Sequence, residues 1–301
     1  MNEFEVKSIC KELDIRLTKS KGQNFLVSES VRDEIIQAAE LDKDDLVLEI
    51  GPGLGALTEE LVKRAKRVVA VELDKKLYGY LKAKKLENLE LVQGDVLHLL
   101  YPSVPHLFPK GEWTPPLTKG RRYDKVVANL PYQITSHVLR MMLEKNVAGE
   151  LIVMVQKEVG ERIAAKQGKM SVLSVMAQYY SEPQILFNVA GGNFWPVPKV
   201  DSVVVKLKVK SSPPISSVKS SRSLKADQPK AEKLKVNNEI FFKLVRAGFS
   251  AKRKMLKNNL GGIYGMEKVK QALREIGLGE KVRAQELSVQ QWINFYAQLG
   301  K

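Results

Sequence analysis

The sequence predicts an α/β fold: a doubly wound, mainly parallel sheet of seven strands, followed by a small all-helical C-terminal domain. Short apolar runs bounded by turn residues alternate with helical periodicity from residue 29 to residue 180. That alternation marks parallel strands joined by helical crossovers. Three successive runs lead into Gly51, Glu72 and Asp95, and a fourth ends at Asn129. Ligands bind beyond the carboxyl ends of strands in such sheets. From residue 237 to 301 only helical periodicity is present.

Taken in order, a helix is expected at 29–40, then a strand at 46–50 running into Gly51-Pro52-Gly53-Leu54-Gly55 and a helix over 55–66. The next strand, 67–72, ends at Glu72; a helix follows at 75–86, and a strand at 89–93 leads to Gly94-Asp95. Strand 125–129 ends at Asn129, helix 134–145 follows, then strand 150–156 and one long helix, 157–180. A final pair, 184–190 and 202–209, is joined by Gly191-Gly192 and a proline-rich loop and is expected to be antiparallel. Two stretches interrupt this order. Residues 101–122 carry Pro102, Pro105, Pro109, Pro115 and Pro116 and read as an inserted solvated loop. Residues 210–236, rich in Ser, Lys and Pro, read as a mobile linker. The expected domains are therefore 1–209 and 237–301.

Composition fits without deciding function. A chain of 301 residues with 44% hydrophobic side chains has enough apolar material for two cores. A formal net charge of +15 favours a polyanionic partner. Cys10 is the sole cysteine, which excludes an internal disulfide and a cysteine-based metal site. His98, His106 and His137 show no ligand spacing, so no metal is expected. No apolar run approaches ~18 residues, and Glu3, Glu5, Glu12 and Asp14 argue against a transit peptide. A cytoplasmic protein of bacterial type is expected.

The glycine turn after strand 46–50 lets backbone approach a ligand closely. Glu72, 21 residues after Gly51, is placed to accept the two hydroxyls of a ribose, and Asp95 to meet an adenine edge. Gly51, Gly53 and Ala56 also satisfy the dinucleotide fingerprint, so these residues alone do not separate NAD from S-adenosylmethionine.

Asn129-Leu130-Pro131-Tyr132 separates them. An exocyclic amine is a poor nucleophile because its lone pair is delocalised into the ring. An Asn side-chain oxygen and the Leu130 carbonyl can accept both of its N–H groups and turn that lone pair toward a methyl donor. Pro131 stiffens the loop, and Tyr132 offers a face on which an extruded base stacks. The same four residues also suit a strand-end turn over a core tyrosine. Hydride transfer has no use for them, so methyl transfer from S-adenosylmethionine is the favoured chemistry.

With these residues in place the chain resembles the KsgA family of ribosomal RNA adenine dimethyltransferases. The matching motifs are Lys21-Gly22-Gln23-Asn24-Phe25-Leu26, Glu49-Ile50-Gly51-Pro52-Gly53, Val71-Glu72-Leu73-Asp74, Gly94-Asp95-Val96 and Asn129-Leu130-Pro131-Tyr132, then Phe194 through Ser202 and Gly248 through Leu256. The resemblance implies the seven-stranded methyltransferase variant of the fold. It also implies donor binding by Gln23, Asn24, Leu26, Gly51, Gly53, Glu72, Leu73, Asp95, Val96 and Asn129. The implied reaction is dimethylation of N6 on two adjacent adenosines near the 3′ end of small-subunit (16S) rRNA, during small-subunit biogenesis, by a monomer. A large-subunit rRNA methyltransferase of the resistance type would share the donor and Asn-Leu-Pro-Tyr motifs. A non-catalytic transcription or assembly factor of this fold is a further alternative.

Two groups remain. In the Gly-Asn-Phe-Trp-Pro-Val-Pro loop, Phe194 is expected to face the site, sandwiching the target base against Tyr132, and Trp195 to pack. Lys243 to Lys257 holds six basic residues and no acid. Ser250 is a good N-cap, so Lys252, Arg253, Lys254 and Lys257 are expected on one short helix. With Arg246, they are the expected RNA contacts. Phe241, Phe242 and Phe249 alternate with these charges at core spacing.

Overall fold

A computed structural model describes residues 1–15, 23–100, 122–211 and 238–300. Residues 101–121 of the expected 101–122 insertion, the body of the 210–236 linker, and Lys21-Gly22 lie outside the described residues. The chain divides into two compact units, Met1–Glu161 with Glu182–Val209, and Arg162–Ser181 with Lys210–Lys301.

The first unit holds a seven-stranded sheet. Its strands are β2 (Leu46–Ile50), β3 (Arg67–Glu72), β4 (Leu89–Gln93), β5 (Tyr123–Asn129), β6 (Ala148–Gln156), β7 (Ser181–Val189) and β9 (Ser202–Val209). Their order is β4-β3-β2-β5-β6-β9-β7. Strands β2 to β6 pair in parallel, and β9 runs antiparallel to β6. Central strands read as near-continuous apolar runs because both faces are covered: Val47, Leu48, Val126, Val127, Ile152 and Val153 are fully buried. The order reverses between β2 and β5, and that switch opens a crevice at their carboxyl ends. Asp124 at the start of β5 fixes the other end, accepting the Leu46 N–H at 2.8 Å.

A two-stranded ribbon joins β1 (Phe25–Leu26) to β8 (Phe194–Trp195), pairing Phe25 with Trp195 and Leu26 with Phe194. Strands of two residues carry no periodic signal, which is why sequence reading missed them. The ribbon corrects the expectation for Phe194. Period-two alternation turns Phe194 into the main core with Leu26, Ile35 and Met154, leaving it 1% exposed. Trp195 is half-buried among the residues packed on Val6, Cys10 and Leu54.

The helices of this unit are α1 (Glu3–Glu12), α2 (Glu29–Ala38), α3 (Thr58–Val62), α4 (Lys75–Ala83), α5 (Val96–Leu100) and α6 (Thr135–Glu144). Helix α1 carries a capping box, Asn2 accepting from the Glu5 N–H and Glu5 from the Asn2 N–H. Helix α3 starts later than expected, at Thr58 rather than near 55, because residues 53–57 form turns.

Two short helices, α7 (Lys157–Ile163) and α8 (Val172–Tyr180), replace the single helix expected over 157–180. At the break Gly168 has φ +95°, a backbone region that a helix cannot pass through. Its N–H and that of Met170 both donate to the Gln285 carbonyl. Residues 162–181 therefore group with the C-terminal helices, although the expected boundary was 209.

The second unit is completed by α9 (Asn238–Gly248), α10 (Leu256–Tyr264), α11 (Met266–Glu275) and α12 (Val289–Leu299). Its core is aromatic. Tyr179 stacks on Phe241 at 5.1 Å, and Trp292, Phe241 and Phe295 are fully buried. Phe249 lies against Trp292, so Phe241, Phe242 and Phe249 are packing residues. Among the described residues no helix is long and apolar enough to cross a membrane.

Candidate functional site

Strands β2, β3 and β5 deliver Glu49, Glu72 and Asn129 to the switch-point crevice, a cavity of about 640 Å³ in the first unit. That volume suits a nucleoside-sized ligand. Every residue expected to hold the donor lines it, from Gln23, Asn24 and Leu26 through Gly51, Gly53, Glu72 and Leu73 to Asp95, Val96 and Asn129. Leu130, Pro131 and Tyr132 line it too, and Phe194 does not. Among the described residues no cluster of His, Cys, Asp or Glu could hold a metal.

The glycine turn closes on the carboxylate of Glu72. Gly53 has φ +61° and donates its N–H to Glu72 Oε2 at 3.1 Å, while Asp74 N–H reaches Oε1 at 2.8 Å. A Cβ on Gly53 would come within 3.3 Å of the Phe25 ring. Burial pushes the Glu72 pKa up, and the backbone donors from Asp74 and Gly53 pull against it. Each oxygen keeps a lone pair for a ribose hydroxyl. Asp95 spends one oxygen capping α5, accepting the Leu97 N–H at 2.8 Å, and lines the cavity. Beside it Leu73 is 67% exposed, an apolar surface on the cavity wall for a flat ring.

Asn129 ends β5 with its carboxamide already committed on one side: Nδ2 donates to the Asn24 carbonyl at 3.3 Å. The free acceptor is Oδ1. Leu130 donates its N–H to Met154 on β6, and the Pro131 carbonyl accepts from Thr135 Oγ1 at 3.0 Å and from the Ile134 N–H. These bonds hold the loop rigid. The Tyr132 hydroxyl is paired with Ser202 Oγ at 2.8 Å, and burial raises its pKa. Tyr132 thus contributes a ring, not a base.

Glu49 is the residue that sequence reading passed over. It is 2% exposed, lines the cavity and leaves Oε2 without a hydrogen-bond partner among the described residues. Its signal was a carboxylate inside Leu46-Val47-Leu48-Glu49-Ile50, at a position where a buried strand takes an apolar residue. Burial pushes its pKa up to about 8; the Thr58 hydroxyl lowers it, and the Glu72 carboxylate adds to the rise. The unfolded carboxyl titrates near 4.5 and the folded one near 8, so between these values the folded state binds the extra proton. Stability therefore falls as pH rises from about 4.5 to about 8 and levels above it. Glu49→Gln is expected to remove that fall in thermal melts of the ligand-free protein, with its largest gain near pH 8. Parallel melting profiles for the two proteins would show that Glu49 is charged throughout.

The basic cluster is arranged differently from expectation. Lys252, Arg253 and Lys254 lie in an exposed turn between α9 and α10, not on a helix. Asn259 Nδ2 ties that turn down by donating to the Gly248 and Ala251 carbonyls, and α10 begins only after Met255. Lys257 pairs with Glu280 at 3.0 Å, and Arg246 is exposed on α9.

The family model described as ribosomal RNA adenine dimethylase matches residues 15–301. The chain is 38% identical over 299 residues to the ribosomal RNA small subunit methyltransferase A of Dehalococcoides mccartyi, covering 96% of this chain and 90% of that protein. It is 37% identical to the protein of that name from Fusobacterium nucleatum, covering 93% and 97%. Among solved structures, the 23S rRNA methyltransferase ErmE is 27% identical with a TM-score of 0.65, covering 92% of this chain and all of that one. A dimethyladenosine transferase from Plasmodium falciparum shares the fold with a TM-score of 0.69 at 24% identity, covering 90% and 95%.

Proposed function

Because the chain belongs to the ribosomal RNA adenine dimethylase family, we propose that its targets are two adjacent adenosines near the 3′ end of small-subunit rRNA, presented on the assembling subunit. It is an enzyme that uses S-adenosylmethionine to dimethylate adenine in small-subunit rRNA. One observation carries the assignment of chemistry: Asn129 stands at the end of β5 in the wall of the donor cavity, its Nδ2 held by Asn24.

When bound, S-adenosylmethionine supplies a methyl group on a positively charged sulfur. The residues do the rest by placement. Tyr132 stacks on the extruded adenine. Asn129 Oδ1 and the Leu130 carbonyl accept the N6 hydrogens and aim the lone pair at the methyl group. No general base is needed, since the methylated ammonium is acidic enough to give its proton to water. One N–H survives the first transfer, so one of the two contacts remains to orient the amine for the second. With Phe194 in the core, the open face of the stacked base is left to the RNA itself or to a rearranged β8.

The large-subunit reading is favoured only by the likeness to ErmE, at 27% identity; the relatives at 37–38% are small-subunit enzymes. Labelled methyl transfer to isolated small subunits, large subunits and naked rRNA tests the assignment. Small subunits are expected to accept most label; preferential labelling of large subunits would overturn it. We place the enzyme in the cytoplasm as a monomer, with the ribosomal subunit as its partner.

RNA contact is assigned to Arg246 and the Lys252-Arg253-Lys254 turn, with Lys257 a lesser contributor because Glu280 already neutralises it. Replacing Lys252, Arg253 and Lys254 by Gln is expected to flatten the slope of log affinity against log salt by up to about 0.7–0.9 per lost phosphate contact. Lys257→Gln should change it less. An unchanged slope in the triple variant would make the turn a solvated surface.

A further inference from the structure

Tyr132 is held from behind. Its hydroxyl pairs with Ser202 Oγ at 2.8 Å, across 70 residues of sequence. Ser202 is the first residue of β9, is fully buried, and stands opposite Gln156 at the carboxyl end of β6. Its neighbour Asp201 fastens the same point twice: the Asp201 carbonyl accepts the Lys157 N–H at 2.9 Å, and Oδ1 accepts the Gly191 N–H at 3.0 Å. Burial, with the Asp201 charge adding to it, keeps the Tyr132 hydroxyl protonated against the pull of the Ser202 bond. A fixed hydroxyl at the far end of a half-buried ring sets the tilt of that ring. The tilt matters because stacking in this site is one-sided. Phe194 lies in the core, and Phe25, the other aromatic on the cavity wall, lies against Gly53 on the donor side.

We propose that Ser202 is a positioning residue for methyl transfer: through the Tyr132 hydroxyl it fixes the plane in which the extruded adenine stacks, and the second transfer depends on it more than the first. This rests on the reading above, in which Asn129, Leu130 and Tyr132 hold the target base. The amine of unmodified adenine has two N–H groups, and two acceptors, Asn129 Oδ1 and the Leu130 carbonyl, define the plane of the base. The monomethylated amine has one N–H, and one hydrogen bond defines only a line. The base can then turn about that line, carrying its lone pair away from the methyl group. Stacking on the Tyr132 ring opposes that turn, and the ring resists only as firmly as Ser202 holds it. A ring freed to tilt still offers its face, so RNA binding changes little while alignment suffers. In each transfer the N6–C bond forms as the S–C bond breaks, and the ammonium proton goes to water. Ser202 and Tyr132 exchange no proton with the base.

Single-turnover reactions on isolated small subunits, at saturating subunit and S-adenosylmethionine, followed by digestion to nucleosides, give the rates of the two transfers separately. Ser202→Ala is expected to slow the first transfer about threefold to tenfold, the loss of one neutral hydrogen bond. It should slow the second by about threefold more or beyond, so that N6-monomethyladenosine accumulates. Tyr132→Phe keeps the stacking ring and breaks the same bond from the other side, and should do the same. The double variant should be no slower than the slower single, since both changes remove one bond. Affinities for subunit and donor should stay near native. Rates are counted per donor-binding site, measured by calorimetry, so a loss of folded protein alone leaves the ratio of the two rates at its native value. If Ser202→Ala does not fold, Tyr132→Phe carries the test. A native ratio of the two rates in either single variant, or slowing factors that multiply in the double variant, would overturn the proposal. A native protein that methylates no adenine in small subunits would instead overturn the reading on which it rests.

Discussion

Glu72→Ala is expected to weaken S-adenosylmethionine binding by roughly a hundredfold or more, measured by calorimetry. Two ribose hydroxyls on one carboxylate make two charge-assisted hydrogen bonds, each worth about 1.5–3 kcal/mol, and each 1.4 kcal/mol is a factor of about ten. The loss goes beyond the ligand contacts. Glu72 also accepts the N–H groups of Gly53 in the glycine turn and of Asp74 before α4, so removing it leaves both donors unpaired in the empty site. Glu72→Gln separates the two effects. Its amide oxygen can serve one of the two backbone donors, but its NH2 group meets the other donor with hydrogen against hydrogen. An intermediate loss is expected. Unchanged donor affinity in Glu72→Ala would remove Glu72 from the site.

The sheet was legible from sequence because its central strands are buried on both faces. β2, β3 and β4 run at the bounds that apolar runs and their flanking Gly, Glu and Asp imply, and β5 and β6 begin two residues earlier. The donor residues were legible for a related reason: chemistry at the strand ends uses residue types that a strand end does not otherwise need. What was hidden depends on partners remote in sequence. Phe194 reads as an exposed loop aromatic until Leu26 pairs beside it and turns it inward. The helix expected from Ser250 fails because Asn259 captures the Gly248 and Ala251 carbonyls. Gly168 breaks a periodic segment through a contact with Gln285, more than a hundred residues away. Glu49 was in plain sight, but its unpaired oxygen and its proton are properties of burial, and burial is known only once β2 lies between β3 and β5.

Single-turnover methyl transfer by Asn129→Ala, at saturating RNA and S-adenosylmethionine, tests the central claim most directly. Asn129 Oδ1 aligns the amine chiefly as its lone pair turns toward the methyl group, so its contribution belongs to the transition state. Removing one such positioned group costs on the order of a hundredfold or more in rate. Tyr132→Ala is the contrast, because stacking on the extruded base, about 1–3 kcal/mol, acts on bound substrate and transition state alike. The account predicts that Asn129→Ala binds RNA and donor nearly as the native protein does while its transfer step slows by that factor, and that Tyr132→Ala loses RNA affinity as well. Transfer by Asn129→Ala at the native rate would contradict it, and would leave Asn129-Leu130-Pro131-Tyr132 as no more than a turn at the end of β5.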